Sequence, residues 1–298
     1  MNNILLQVQK YLDSVSKEPV KLDEQLLQEF GEACKNALLK QFEEKRRDKF
    51  EPRMSNIGRP LCQLQMEAKG VKGEGQPYNV RMRNTFGDLI EALSIFVMKS
   101  AGIKLKNEQK KVRYEFDGGK IDGRQDVEID GKVWDIKSAS PYAFQYKFGE
   151  SGGFDALLKD DPFGYVSQGY LYAGADDKEF GGWIAINKST GEWSVVETPI
   201  NDDEHKKKAI EQAKKNVHAL NTNQPFKRQF EDIEEFFNRK PTGNRVLAKE
   251  CTFCAYKKPC WGNQIQYLPQ QQSKGKYPKW VWYTEINNPR VEDENEQS

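Results

Sequence analysis

The stretch GKIDGRQDVEIDGKVWDIKSAS, residues 119–140, concentrates side chains that could do chemistry. Asp130-Gly131 between two β-rich runs marks a two-residue hairpin turn. With the turn there, Ile129 faces Lys132, and Asp126 faces Asp135 on one side of the ribbon. Lys137, two residues past Asp135, shares that side. Val127, Ile129, Trp134 and Ile136 occupy the other, so one register explains both a polar and an apolar face. Facing carboxylates about 5 Å apart at Cβ repel and weaken a sheet. A divalent cation removes the repulsion, and hard oxygen donors select Mg2+ or Mn2+. A lysine beside such an ion can orient an attacking water and offset charge growing on a phosphate. Asp-x-Lys alone is common, recurring at Asp130–Lys132 and Asp176–Lys178. The cross-strand partner separates this instance from a solvated hairpin face of alternating charge.

A metal site needs a third carboxylate, and Glu91 is the candidate, on a helix that precedes the strands. Downstream, Gln168 and Tyr172 in SQGYLYAG stand at i and i+4 and share a helical face. The same spacing also suits a half-buried helix with no chemical role.

The five cysteines are unevenly placed: Cys34, Cys62, then Cys251, Cys254 and Cys260. An odd count in a chain whose start, MNNILLQVQK, has no secretory apolar core points to reduced thiols. Cys251, Cys254 and Cys260 crowd into ten residues. Cys34 falls on an apolar helix face and reads as core. The two histidines, His205 and His218, sit in a Lys-rich stretch and read as solvated helix surface.

The elements that must hold these residues follow from period and punctuation. Leu26, Leu27, Phe30, Cys34, Leu38 and Phe42 give residues 1–50 a buried helical face, ending in the charged run EEKRRDK. KGVKGEGQPYN, 69–79, reads as an exposed loop. RMRNTFGDLIEALSIFVMKSAG predicts an amphipathic helix closed at Gly102, with Leu89, Leu93, Phe96 and Val97 inward. The period changes to two over 111–138, which predicts strands. Residues 147–164 predict a loop or lid, 203–220 and 229–239 helices, YPKWVWYTEIN an edge strand, and VEDENEQS a disordered acidic end. No internal repeat is evident.

The 298 residues allow one large domain or two small ones, and 46 Lys+Arg against 45 Asp+Glu exclude a generally basic nucleic-acid binder. A mean hydropathy of −0.84 and the lack of a long apolar run argue against a membrane span and for a soluble, cytoplasmic protein.

Together these residues resemble the PD-(D/E)xK nuclease superfamily, in its RecB/AddB-like iron–sulfur exonuclease branch, which has CRISPR-associated and phage-encoded members. Asp126 matches the first acid, Asp135-Ile136-Lys137 the D-x-K, and Gln168 and Tyr172 the branch's Q-x-x-x-Y, over roughly 55–262. Cys251-Thr-Phe-Cys254, then Cys260, resembles the branch's C-terminal triplet, with Cys62 as the distant fourth ligand. The branch commonly has G-x-x-x-H; here the spacing from Gly87 reaches Glu91 instead, which can also ligate Mg2+.

The resemblance implies an α/β fold, a central mixed sheet flanked by helices in a restriction-endonuclease-like core, with an N-terminal helical segment and a four-Cys cluster module. The expected divisions are 1–54, a nuclease core over 55–268, and a Lys/aromatic segment with acidic tail over 269–298. It implies metal held by Glu91, Asp126, Asp135 and the Ile136 carbonyl, a lysine that positions water, and a structural [4Fe–4S] cluster, with Zn2+ the alternative. Closing a loop of nearly 190 residues, from Cys62 to Cys251, would staple the ends of the domain. The implied activity is a DNA exonuclease acting on ends, single-stranded and 5′→3′, in a bacterial cell or phage-encoded. An endonuclease of the superfamily and a non-catalytic DNA-binding or repair-assembly module are the alternatives. Expected DNA contacts are Arg81, Arg83, Arg124, Lys257 and Lys258. Lys274, Lys276 and Lys279 interleave with Tyr277, Trp280 and Trp282, which fits either single-stranded nucleic acid or an ordinary edge strand. Nothing reports a subunit interface.

Overall fold

The computed structural model describes residues 2–43, 50–75, 78–116 and 119–289. The chain forms two compact units, one of residues 1–59 and 76–223, the other of 60–75 and 224–298. The expected divisions at 54 and 268 do not coincide with these units. The EEKRRDK run from residue 44 on and the acidic end lie outside the described residues.

In the first unit, strands β1 (Leu105–Lys106), β2 (Lys111–Phe116), β3 (Gly119–Arg124), β4 (Val127–Ile129), β5 (Lys132–Ala139), β6 (Glu179–Asn187) and β7 (Trp193–Glu197) occur in that order. Five of them form a mixed sheet of order β1-β4-β5-β6-β7, and β2 and β3 form a separate antiparallel ribbon. Only β5 and β6 are parallel, and helix Tyr165–Ala175 lies in the crossover between them.

The β4–β5 hairpin has the register expected from sequence. Val127 pairs with Trp134 and Ile129 with Lys132. Asp130 and Gly131 take φ of 50° and 79°, the left-handed pair that matches strand twist. Val127, Ile129, Trp134 and Ile136 enter an apolar core with Ile184 and Ile186 of β6, Ile4 and Val8 of helix Asn3–Lys17, and Val97 and Met98 of helix Tyr78–Ser100.

Several expectations need correction. On helix Glu24–Phe42 only Ala37 is buried; Leu27, Leu38 and Phe42 are exposed and Cys34 is half-buried rather than core. That helix lies along Tyr78–Ser100 through the Phe30–Phe96 ring pair and the Lys99–Glu29 ion pair, a contact half polar and half apolar. On Tyr78–Ser100 the buried positions include Thr85, Ala92, Ser94, Val97 and Met98, while Leu93 is exposed. Small residues face inward there because the helix lies close over β5. The 147–164 stretch contains the end of a π-helical turn, Phe144–Phe148, and a helix, Phe154–Lys159. His205 is half-buried, paired with Asp202 at 2.8 Å, whereas His218 is exposed as expected.

The second unit is a four-stranded sheet, order β10-β11-β9-β8, from β8 (Ile233–Phe237), β9 (Lys240–Val246), β10 (Gln266–Pro269) and β11 (Trp280–Glu285), with helix Leu61–Ala68 and short helices around the last three cysteines. The segment 229–239 is therefore largely strand, not helix, and β11 is interior rather than an edge. Glu235 is buried on β8, where Tyr283 donates to it at 2.6 Å and Thr242 at 2.8 Å. Of the expected 69–79 loop, residues 69–75 are docked rather than free, the Glu74 amide donating to the Ala255 carbonyl, and Tyr78 already begins a helix.

Candidate active site

The polar side of the hairpin assembles in the first unit. Asp135 is 0% exposed at the centre of β5, flanked by β4 and β6. Lys137 Nζ lies 2.6 Å from Asp135 Oδ2, and apart from that ammonium neither carboxylate oxygen has a hydrogen-bond partner. Asp126, just before β4, accepts the Ile136 amide at 2.7 Å through Oδ2, which ties it to the same strand. Glu91, on helix Tyr78–Ser100, accepts a hydrogen bond from Gln109 Nε2.

These acids sense one another. Burial, then the charges of Glu91 and Asp135, push the Asp126 carboxyl well above the usual range. Glu91 is pushed up to about 7, first by burial, with Asp88 and Asp135 adding and Lys40 opposing. Asp135 is raised by burial against the pull of Lys137. Burial would lower the Lys137 ammonium, but Asp135 and Asp126 outweigh it and hold the amine protonated. Three desolvated carboxyls thus gather around Lys137, and their crowding disfavours ionising all of them at once.

Gln168 and Tyr172 come to the same site on helix Tyr165–Ala175, where Gln168 Nε2 donates to the Tyr172 hydroxyl at 2.9 Å. Burial, then the charges of Asp135 and Asp126, raise the Tyr172 phenol. Gly123 of β3 makes room for it: a Cβ there would meet Met54 Sδ and Tyr172 Cε1, each at 2.6 Å.

Two residues at this site escape sequence reasoning. Tyr165 places its ring 4.8 Å from Lys137 Nζ, a cation–π contact. Asp161 accepts the Tyr165 and Val166 amides, both at 2.8 Å, so it caps the helix while its charge acts on Asp135. An Asp four residues before the helical run was the available signal, hidden in a Gly/Asp-rich segment that reads as loop.

Among the described residues, no three His, Cys, Asp or Glu side chains close into a group that could hold a metal ion as placed. Each acid is turned toward a donor of its own: Asp126 to the Ile136 amide, Asp135 to Lys137, Glu91 to Gln109. The donor set still fits a hard divalent cation, because the Asp135 oxygens are buried with no partner but Lys137. Ile136 keeps its side chain in the apolar core and its amide on Asp126.

Cys62, Cys251, Cys254 and Cys260 belong to the second unit, not to the unit that carries the acids. All four line one small cavity of about 20 Å3, with Arg228, Met66 and Trp261 beside them. Burial pushes the Cys251 thiol up to about 11, and the other three cysteines add to the rise. Cys62 is raised by burial and by Cys260 and Cys254. Four cysteine sulfurs around one cavity are a donor set of the kind that suits a soft metal centre. Lys257, expected to touch DNA, is buried and held by Glu74 and the Cys254 carbonyl. Arg81, Arg83 and Arg124 are exposed in the first unit and Lys258 in the second.

No protein-family model matches the chain, and no curated protein matches it. Among solved structures, the chain is similar to the protein SSO0001 at 14% identity and a TM-score of 0.40, covering 76% of this chain and 93% of that one. It is similar to a protein from Eubacterium rectale named as a candidate exonuclease at 15% identity and a TM-score of 0.31. That match covers 46% of this chain and 55% of the other. Likenesses this slight carry no weight for fold or activity. The mixed sheet flanked by helices stands on the strand pairing itself. Among the described residues, no helix is long and apolar enough to cross a membrane.

Proposed function

We propose that the protein is a divalent-metal-dependent nuclease that hydrolyses DNA phosphodiester bonds from strand ends, in the manner of the iron–sulfur PD-(D/E)xK exonucleases it resembles. One observation carries the reading. Asp135 is fully buried, has no partner but Lys137, and lies on a hairpin whose opposite strand leads into a second carboxylate, Asp126. A buried pair of acids costs stability unless a cation is part of the design.

Asp126, Asp135, Glu91 and the Ile136 carbonyl would hold Mg2+ or Mn2+. The ion would supply Lewis-acid polarisation of the phosphate and a more acidic water. Lys137, kept protonated by Asp135 and Asp126, orients the water and balances charge on the phosphate oxygens. Tyr165 fixes the Lys137 ammonium from one side. Gln168 and Tyr172, joined by their hydrogen bond, position the strand. The four cysteines hold a structural [4Fe–4S] cluster, or zinc in its place, that ties residues 60–75 to 224–298. The substrate end is single-stranded DNA, degraded 5′→3′.

The test is degradation of end-labelled linear DNA beside closed circular single-stranded DNA. Protein purified without oxygen is assayed with Mn2+, Mg2+ and EDTA, and Asp135→Ala is run in parallel. Metal-dependent loss of linear DNA alone, abolished in the variant, supports the proposal. Cutting of the circle moves the assignment to an endonuclease. Inactivity of folded wild-type protein on both substrates leaves a DNA-binding module.

A further inference from the structure

In the second unit, β10 and β11 pair so that Tyr267 faces Trp282 and Pro269 faces Trp280. All four residues therefore lie on one side of the ribbon. Their rings form a row. Tyr267 stacks on Trp282 with centroids 4.7 Å apart and planes at 29°, and its centroid is 5.3 Å from that of Trp280. Trp282 is anchored, packing against the core of Leu247, Cys251 and Trp261. Trp280 and Tyr267 remain 51% and 49% exposed. A run of open rings held on a rigid strand pair is an interaction surface that lacks its partner.

The charge around the row is positive. At one end the Lys258 ammonium lies 5.6 Å from the Trp282 ring centre, with its side chain 62% exposed. At the other end Lys274 and Lys276 lie exposed with Tyr277 in the connection before β11. Glu74 is drawn onto Lys257 and Lys258.

We infer that this row is a stacking platform for single-stranded nucleic acid, with bases lying on Trp280 and Tyr267 and phosphates meeting Lys258 and, in the connection before β11, Lys274 and Lys276. Aromatic rings offer every base a π-face, and flanking lysines track a backbone without reading its sequence. A duplex keeps its base faces stacked internally and gains nothing from the rings. The inference goes beyond the hydrolytic reading and stands on the second unit alone.

The test is fluorescence anisotropy of a labelled oligo(dT) 20-mer with the full chain in EDTA, where no hydrolysis occurs. Binding failure and nuclease failure are thereby read separately. Trp280→Ala and Tyr267→Ala should each weaken oligo(dT) binding about 10-fold. Binding to a blunt duplex of equal length should stay unchanged, and Trp280→Phe should keep most of the affinity. Oligo(dT) should also quench wild-type tryptophan fluorescence, a readout independent of whether the alanine variants fold. The inference is overturned by no oligo(dT) binding to the wild type, by wild-type affinity in folded alanine variants, or by an equal loss for duplex. Absence of quenching overturns it as well.

Discussion

The Ile136 amide donates to Asp126 Oδ2 at 2.7 Å, a bond that crosses the hairpin just where the β4–β5 ladder ends. It holds the first acid against the strand that carries the second, while the Ile136 side chain anchors that strand in the core. Position of the acids and packing of the sheet are thus one property of the same few residues.

Asp135→Asn should abolish metal-dependent hydrolysis, by at least about a hundredfold, yet leave the fold intact. Asp126 continues to compensate Lys137 in that variant. Thermal melts without metal should agree with wild type to within about 1 kcal/mol. Wild type should gain stability with Mn2+ in proportion to binding, and the variant should gain almost none.

Glu91 gives the site a pH signature. Its folded pKa, about 7, lies above the ordinary 4.5, so the native state holds a proton that the unfolded chain releases. Stability from this group is complete below about pH 4.5 and declines as pH rises toward 7 and just beyond, by on the order of 3 kcal/mol. Metal binding requires the deprotonated acid and should strengthen over the same interval. Melting metal-free protein from pH 5 to 8 should show the decline, and Glu91→Gln should make it shallower, with Asp126 and Asp135 supplying the remainder.

Gly123→Ala should disturb the site from behind. The new methyl would meet Met54 Sδ and the Tyr172 ring at 2.6 Å, so one of them must move. A loss of about 1–3 kcal/mol is expected from overpacking, together with reduced nuclease rate if Tyr172 shifts. Denaturant unfolding beside the end-labelled DNA assay separates the two effects.

Cys62→Ser, Cys251→Ser, Cys254→Ser and Cys260→Ser should each reduce the bound metal and loosen the second unit. Cys34→Ser, in the first unit, should leave metal content unchanged. Elemental analysis and visible absorption of anaerobic protein read this directly: brown protein with iron and sulfide marks the cluster, colourless protein with zinc the alternative.

The hairpin was legible because everything that specifies it is local. Asp130-Gly131 supplies the turn, and strict alternation assigns Asp126, Asp135 and Lys137 to one side. Tyr165 and Asp161 were not, since they meet Lys137 and Asp135 through the packing of a crossover helix that no local pattern encodes. Residues 229–239 misled for a different reason. The β8–β9 turn uses Asn238 and Arg239 at φ of 51° and 65°, with no glycine to announce it. The strand then inverts the usual pattern, burying Glu235 among hydroxyl and amide donors and exposing Phe236. The inward face of Tyr78–Ser100 was misjudged because closeness to the sheet favours Ala92 and Ser94 over Leu93.

The second unit is built from residues 60–75 and 224–298, with the larger part of the first unit encoded between them. On the ribosome, Cys62 therefore emerges long before Cys251, Cys254 and Cys260. At about 5–20 residues per second, the nearly 190 residues from Cys62 to Cys251 take on the order of 10–40 s to make. For that interval Cys62 is an unmatched thiol on a helix whose sheet does not yet exist. The first unit can complete itself as soon as residue 223 has cleared the exit tunnel, while the second still lacks its sheet. Loading of any metal centre at the cysteines must then be among the last events in the life of the nascent chain.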